Sequence, residues 1–453
     1  MATTAALLAN KGHTVSGSDK NVFPPMSDFL AAEGIPILKG FHEDRITDEL
    51  DLVVVGNVVS RGNSEIEAVL TRRVRCCSLP EIVRDEFLWE KRPIVLAGTH
   101  GKTTTTAMTG WLLVHAGLDP TVLVGGIVKD FGVNGSSYYV GEGQDFVIEG
   151  DEYDTAFFDK SPKFLKYIPD IVVINNIEFD HADIYQNLND VQLAYKRLVN
   201  LVPKNGLLLL GADNEHTLAL RDLSVSPVST FGFSNGADWQ AYNTTVINGR
   251  TRFSVRQRGR EFGEFELQLP GAHNVSNALG AIAVGAYRGL DSDALADGLK
   301  AFQGIKRRLE VLGIVDGVTI FDDFAHHPTA VRETLSALRS SNPSSRIWAV
   351  FEPRSASSCR KVFQTDFADA FGSADEVILA AVFRSDLPHE EQLSIEVLAR
   401  ELNQRGQQAR AIPDVDNIVI TIVNEHKDGD FVVLMSNGEF GGIHQKLLKA
   451  LSL

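Results

Sequence analysis

The run Gly98-Thr99-His100-Gly101-Lys102-Thr103 carries the most specific chemistry in the chain. Glycines that free the backbone, followed by a lysine and a hydroxyl residue, suit a bound triphosphate. Backbone N–H groups hold its oxygens, a lysine reaches the β- and γ-phosphates, and a hydroxyl ligates Mg²⁺. Lys102 and Thr103 fill the last two roles, and Thr104 follows in the same turn. The general pattern sets four residues between its first glycine and the Gly-Lys pair. That first position is Leu96 here, so the loop is a shorter variant. A chance lysine after a glycine turn is the bland alternative, and a strand before and helix after speak against it.

Two further constellations follow strand-like runs. Glu149-Gly150-Asp151-Glu152-Tyr153-Asp154 comes directly after Phe146-Val147-Ile148. A carboxylate at the C-terminal edge of a strand lies where open α/β sheets bind ligands, and it can hold Mg²⁺. A solvated acidic loop is an equal reading of that run alone. Asn175-Asn176-Ile177-Glu178-Phe179-Asp180-His181 follows the run 171–174. His181 is expected to be a metal ligand or polar clamp, with Asp180 or Asp183 orienting it. A lone histidine is more often structural. Three strand ends bearing Lys/Thr, Glu and His are harder to dismiss, because they would converge on one crevice.

Asn274 and Asn277 lie three apart on one helical face, where their amides suit a base edge or phosphate oxygens. An N-cap plus a polar face explains either one singly. Lys306-Arg307-Arg308 is either a solvated hinge or a cation that swings onto a γ-phosphate. Asp322-Asp323-Phe324-Ala325-His326-His327-Pro328 and Phe351-Glu352-Pro353-Arg354-Ser355 both fall at strand ends. Arg354 is a candidate carboxylate clamp, or a surface arginine in a loop.

These residues need an α/β scaffold. The strand 93–97 feeds a helix through His115, and strands at 146–149, 171–175 and 207–210 continue the alternation of a mostly parallel sheet. Near-strict alternation at 251–255 and 264–269, with Asn248-Gly249 as the turn, predicts a small antiparallel insert over 238–269. Helices are expected at 274–289 and 293–302. Beyond the hinge at 304–310 the alternation resumes, with strands at 318–321, 347–351, 376–380 and 431–435 and helices at 329–339, 363–372, 395–405 and 442–450. The first ninety residues read as helices at 3–10 and 26–33 and strands at 14–19 and 51–56, with no strand before the first helix. Three units follow, 1–91, 92–308 and 309–453.

Composition narrows the function classes. Among 453 residues, 43 basic and 59 acidic side chains leave a net charge of −16, against the basic footprint of a nucleic-acid binder. With 44% apolar and 23% charged residues the chain is globular, and its apolar runs are strand-sized, short of a membrane span. Met1-Ala2-Thr3-Thr4 lacks the basic start of a secretory signal, and Cys76, Cys77 and Cys359 form an odd set without metal spacing. Both point to the cytoplasm.

Taken in order, the motifs resemble those of the Mur ligases, ATP-dependent amide-forming enzymes of bacterial cell-wall synthesis. The likeness covers essentially the whole chain. Residues 149–160, 322–329 and 351–355 most resemble the recycling branch, which joins UDP-N-acetylmuramate to L-alanyl-γ-D-glutamyl-meso-diaminopimelate. The sister branch, which adds L-alanine, usually has Tyr-Gly where this chain has Phe324-Ala325, and a shorter segment after the acidic motif.

The resemblance implies a Rossmann-like N-terminal domain with its first strand missing, a central P-loop ATPase domain with a small antiparallel insert, and a Rossmann-like C-terminal domain. It implies ATP and Mg²⁺, small-molecule substrates, no nucleic acid or membrane partner, and a monomer or weak homodimer. By matched position Gly98, Thr99, His100, Gly101, Lys102, Thr103, Thr104, Asn274 and Asn277 serve the nucleotide. Thr103, Glu149 and His181 serve metal, with His181 on a second metal or the acyl phosphate. Arg308 or Arg307 meets phosphate from the hinge, and Asp322 or Asp323 the ribose. Arg354, Ser436, Asn437 and Gly438 face the peptide, and Ser18, Asp19, Asn57 and Ser60 the uridine end. Lys102, Glu149, His181 and Arg308 form the expected catalytic set.

Relatives begin with a strand and a glycine-rich loop for the UDP-sugar diphosphate, and Met1 stands where the residue after that loop would be. A fragment, or a start assigned too far downstream, is the expectation. Lys196 lies where some relatives carry a carbamylated lysine, with a surface helix lysine as the other reading. Two competing functions are the L-alanine-adding sister and a nucleotide-binding regulator without catalysis. The presence of Glu149, His181 and Arg308 speaks against the second.

Overall fold

The computed structural model describes the chain except residues 23–25, 248, 384–386 and 453. At its centre is a ten-stranded sheet. Its middle strands run parallel in the order Leu207–Gly211, Ile171–Ile174, Arg92–Ala97, Asp145–Gly150, Thr121–Val128. Every residue of Leu207–Gly211, Ile171–Ile174 and Asp145–Gly150 is buried, as parallel strands covered on both faces require. The period of two sorts them. Ile94 and Leu96 join Met108, Leu112, Val275 and Leu279 beneath the helices Lys102–His115 and Ala272–Tyr287. Val95 and Ala97 face the opposite core, with Tyr195, Leu198 and, from the first helix, Leu7.

The antiparallel stretch is where expectation and structure part. Trp239–Ile247, Arg250–Gln257 and Arg260–Leu267 do pair antiparallel, but Val228–Gly232 pairs parallel with the first of them. They extend the central sheet rather than stand apart. The expected turn residue Asn248 lies outside the described residues, while Gly249 next to it has φ +74°. At the other edge, Thr121–Val128 escapes a pattern reading because Gly125-Gly126 interrupts its apolar run.

The third unit is a six-stranded sheet in the order Glu310–Val315, Val318–Asp323, Phe431–Met435, Ile347–Phe351, Glu376–Leu379, Gln408–Ala411, antiparallel only at the first pair. Helix Val415–Glu425 is rich in β-branched residues, which disfavour helix. The Asp414 side chain caps Asn417 N–H, and Ile418, Val419 and Ile422 bury one stripe against the sheet. Tertiary burial decides it. The first unit's four strands form two separate parallel pairs, Gly17–Asp19 with Ile37–Lys39 and Val53–Val55 with Cys76–Ser78.

The third unit seats on the loop that leaves Ile171–Ile174. Phe179 and Phe363 stack at 5.9 Å, His327 Nε2 lies 3.2 Å from the Phe179 carbonyl, and the Ser357 hydroxyl donates to Asp180. Among the described residues no helix is long and apolar enough to cross a membrane.

Candidate active site

Arg92–Ala97 ends in a tight loop. Gly98 and Gly101 hold φ of +133° and +80°, and a Cβ on Gly101 would meet Asn277 Oδ1 at 2.3 Å. Only glycine fits there. The loop is braced from behind: Asn175 Nδ2 donates to Thr105 Oγ1 (2.8 Å), whose single proton has the Gly101 carbonyl (2.9 Å) and Asn277 Oδ1 (3.2 Å) in reach. From the side, Asn176 Oδ1 accepts from His100 N (2.8 Å) and the Asn176 carbonyl from Thr99 N (3.0 Å).

Three neighbouring strands, Ile171–Ile174, Arg92–Ala97 and Asp145–Gly150, bring their C-terminal ends together. Lys102 Nζ donates to the carbonyls of Gly98 (2.8 Å) and Thr99 (3.2 Å) and lies 2.9 Å from both oxygens of Glu152. His181 Nε2 lies 3.0 Å from Glu152 Oε1. Glu152, only 2% exposed, therefore joins the phosphate-loop lysine to the histidine of the next strand end. Beside it, Glu149 accepts from Gly125 N (2.6 Å) and Thr103 Oγ1 (3.3 Å).

The charges follow from this packing. Burial and the nearby Asp151 push the Glu149 carboxyl up to about 7, against the pull of Gly125 N–H, Lys102 and Arg308. Burial would lower the His181 imidazolium, but Glu152 and Asp180 outweigh it and raise it to about 9. Burial opposes the Lys102 charge too, and Glu152, Asp151 and Asp180 together hold it above its ordinary value. His181 also carries a left-handed backbone (φ +51°), the kind of outlier that collects at functional sites.

The hinge separates its two arginines. Arg307 and Leu309 both have positive φ, and Arg308 lies between them. Arg307 Nε reaches Asp322 (3.1 Å), and its Nη2 donates to the carbonyls of Ser436 (2.7 Å) and Gly438 (2.9 Å). Arg308 has no hydrogen bond or ion pair among the described residues. It rests over the Phe324 ring (5.4 Å), and its charge is felt by Glu149, His273 and Asp323. Arg308 is the one facing the crevice. Arg307, the other arginine expected to meet phosphate, is tied into the third unit. Asp322 and Asp323, the residues expected to meet the ribose, are buried at the hinge: Asp322 pairs with Arg307 and His444 (3.2 Å), and Asp323 accepts from Leu309 N (2.7 Å) and Ala325 N (2.8 Å).

Arg354 and the segment 436–438 do meet. The Arg354 guanidinium lies 3.8 Å over the Phe383 ring and 3.6 Å from Glu352, which accepts from the Ser436 hydroxyl. A Cβ on Gly438 would lie 2.0 Å from Arg354 Nε, so the guanidinium covers bare backbone. Among the described residues Asn437 Oδ1, which is buried, has no hydrogen-bond partner.

Comparison with known proteins matches this arrangement along its length. Residues 1–86 fit the Mur ligase family catalytic domain, 96–285 the Mur ligase middle domain, and 307–438 the Mur ligase glutamate ligase domain. The chain is 39% identical, over 100% of its length and 97% of the relative's, to the UDP-N-acetylmuramate–L-alanyl-γ-D-glutamyl-meso-2,6-diaminoheptandioate ligase of Haemophilus influenzae. It belongs to the Mur ligase family. Among solved structures, a murein peptide ligase from Psychrobacter arcticus superposes with a TM-score of 0.74 at 35% identity, covering 99% of this chain and 96% of that one. A UDP-N-acetylmuramate–alanine ligase from Thermotoga maritima gives 0.82 at 26% identity, with the same coverages.

The remaining expected residues of this Mur ligase lie elsewhere. Ser18 donates to Glu65, Asp19 caps its own turn through Asn21 N, and Asn57 and Ser60 follow the strand Val53–Val55. Among the described residues no hydrogen bond or ion pair ties any of the four to the phosphate loop. Asn274 Nδ2 is held by the Pro270 carbonyl (2.7 Å), and Asn277 braces the loop. Lys196 is exposed on helix Leu188–Val199, while its neighbour Tyr195 is fully buried. Sequence reasoning missed Glu152 and Lys163. Glu152 is one of four acids within residues 149–154 and lies beyond the strand that ends at Gly150. Buried Lys163, with Nζ 4.1 Å from the Tyr153 ring centre and 3.4 Å from Asp151, gave no signal at all.

Proposed function

We propose that this chain uses ATP to join the muramate carboxylate of UDP-N-acetylmuramate to the free α-amine of L-alanyl-γ-D-glutamyl-meso-diaminopimelate. ATP phosphorylates the carboxylate, the amine attacks the acyl phosphate, and the tetrahedral intermediate expels phosphate. The observation that carries the reading is the bridge from Lys102 through Glu152 to His181, beside Glu149 and below Arg308. Identity of 37–39% with ligases named for this tripeptide, against 32–35% with alanine-adding relatives, supports the choice of amine.

Lys102 takes the β- and γ-phosphates by leaving the Gly98 and Thr99 carbonyls, with Glu152 keeping its charge in place. Arg308 adds charge where the γ-phosphoryl group transfers. His181, as an imidazolium donor, meets the anionic oxygens of the acyl phosphate as it stands. A second cation would take its nitrogen only after the proton leaves. Asn274 and Asn277 serve the nucleotide, Asn277 through the loop it braces. Arg354 grips a carboxylate of the peptide.

The residues fit Mg²⁺. A desolvated Glu149, pushed up to about 7 and touching the Thr103 hydroxyl, is a hard-oxygen pair whose burial a cation relieves. Thr103 and Glu149 would hold the ion, which when bound neutralises charge between the phosphates. The third unit, seated at Phe179 and Asp180, keeps water from an acyl phosphate that hydrolyses readily.

A phosphate-release assay with ATP, Mg²⁺ and UDP-N-acetylmuramate tests the reading. Turnover is expected on adding the tripeptide. Stimulation by L-alanine alone would transfer the chain to the sister branch, and release with neither amine would remove the ligase assignment.

A further inference from the structure

The turn that carries Arg354 also reaches the histidine of the active site. Arg354 N donates to Ser358 Oγ (2.9 Å), Ser358 N to Ser355 Oγ (2.9 Å) and Cys359 N to the Ser355 carbonyl (3.2 Å), so residues 354–359 form one hydrogen-bonded turn. Within it the Ser357 hydroxyl is buried, 3% exposed, against the middle unit. It donates to Asp180 Oδ1 and accepts from Ala182 N at 3.4 Å.

His181 stands between those two contacts. Its own N–H donates to the same Asp180 oxygen (2.6 Å), and its Nε2 lies 3.0 Å from Glu152. Its backbone is left-handed, with φ +51°. A non-glycine residue keeps that conformation only where its surroundings over-determine it. Asp180 supplies one restraint from within the middle unit. The Ser357 hydroxyl, donor and acceptor at once, ties the residues on either side of His181 and comes from the third unit.

We propose that Ser357 is a positioning residue for His181, holding the imidazole against the acyl phosphate through Asp180 and Ala182 when the turn that grips the peptide is seated. The inference rests on the ligase reading and adds a link to it: one turn bears both the peptide's carboxylate clamp and the hydroxyl that sets His181. Without that hydroxyl His181 holds the acyl phosphate poorly, and water competes with the amine. Water adds to the acyl carbon, the bond to the phosphate oxygen breaks, and free muramate carboxylate and phosphate leave.

The ratio of amide formed to phosphate released tests this on the full chain with ATP, Mg²⁺, UDP-N-acetylmuramate and tripeptide. The native chain is expected to release phosphate and form amide in equal amounts. Ser357→Ala is expected to lower the ratio by about twofold or more at nearly unchanged KM for ATP. Ser357→Thr should restore it, while Ser357→Val, of the same shape without the hydroxyl, should not. A merely structural loss would leave fewer active molecules, each still coupled, and an unchanged ratio. An unchanged ratio in Ser357→Ala, or Ser357→Thr no better than Ser357→Val, would overturn the inference while native turnover leaves the ligase reading standing. A native chain that forms no amide would remove both.

Discussion

Lys102 Nζ sits 2.9 Å from both carboxylate oxygens of Glu152, a residue 2% exposed. His181 occupies one of those oxygens as well, so one buried anion sets the position of two cations from separate strand ends. Removing it takes from both buried cations their hydrogen-bonded counter-ion and leaves only the more distant Asp151 and Asp180. Glu152→Ala is expected to destabilise the chain by about 3–5 kcal/mol, read by urea denaturation. A loss below 1 kcal/mol would show that the bridge is not structural.

Glu149 and His181 make stability depend on pH in two windows. The Glu149 carboxyl is pushed up to about 7 from 4.5 by burial and Asp151. The folded chain keeps a proton there that the unfolded chain has lost, so stability falls as pH rises from about 4.5 to 7. His181 is raised from 6.5 to about 9, with Glu152 and Asp180 outweighing burial, and its contribution is complete below 6.5 and lost as pH rises through 9. Thermal melts from pH 5 to 9 should lose the lower slope in Glu149→Gln and the upper slope in His181→Gln. At pH 8, Mg²⁺ should raise the melting temperature of the native chain but not of Glu149→Gln. Parallel curves for native and variant chains would contradict these assignments.

The two hinge arginines should separate cleanly. Arg308→Ala is expected to lower kcat by about 100-fold or more at nearly unchanged melting temperature, because it contributes charge to the reacting phosphoryl group. Arg307→Ala should do the reverse and cost about 1–3 kcal/mol of stability, since it frees the carbonyls of Ser436 and Gly438 and leaves Asp322 to His444 alone. Steady-state kinetics beside melting curves decides between them, and equal profiles for the two variants would refute the division.

Arg354→Ala should raise KM for the peptide far more than for ATP, because its guanidinium sits with Glu352 and 436–438, away from the phosphate loop. Equal effects on both constants would remove Arg354 from peptide recognition.

Much of the site was legible because parallel strands announce themselves. Continuous Val/Ile/Leu runs mark Arg92–Ala97, Asp145–Gly150 and Ile171–Ile174, and motif residues after such runs must share one edge of the sheet. Partner choice within a run was not legible. Glu152 and Glu149 stand three apart in one acidic stretch, and only the turn after Gly150 sends one to Lys102 and the other to Thr103. Arg307 and Arg308 are adjacent and both approach the Phe324 ring, yet only Arg307 is tied to Asp322 and the carbonyls of Ser436 and Gly438. That Asn277 also braces the phosphate loop was not legible, because its partner Thr105 and the bare Gly101 beside it lie far from it in sequence.

The claim at the centre is that Lys102 and His181 belong to one catalytic unit. A double-mutant cycle on phosphate release tests it most directly, using Lys102→Ala, His181→Ala and the pair, with ATP, UDP-N-acetylmuramate and tripeptide saturating. Residues that act as a unit are non-additive. Each single variant is expected to fall to near background, and the double variant to fall no further. Losses that multiply would contradict a shared site.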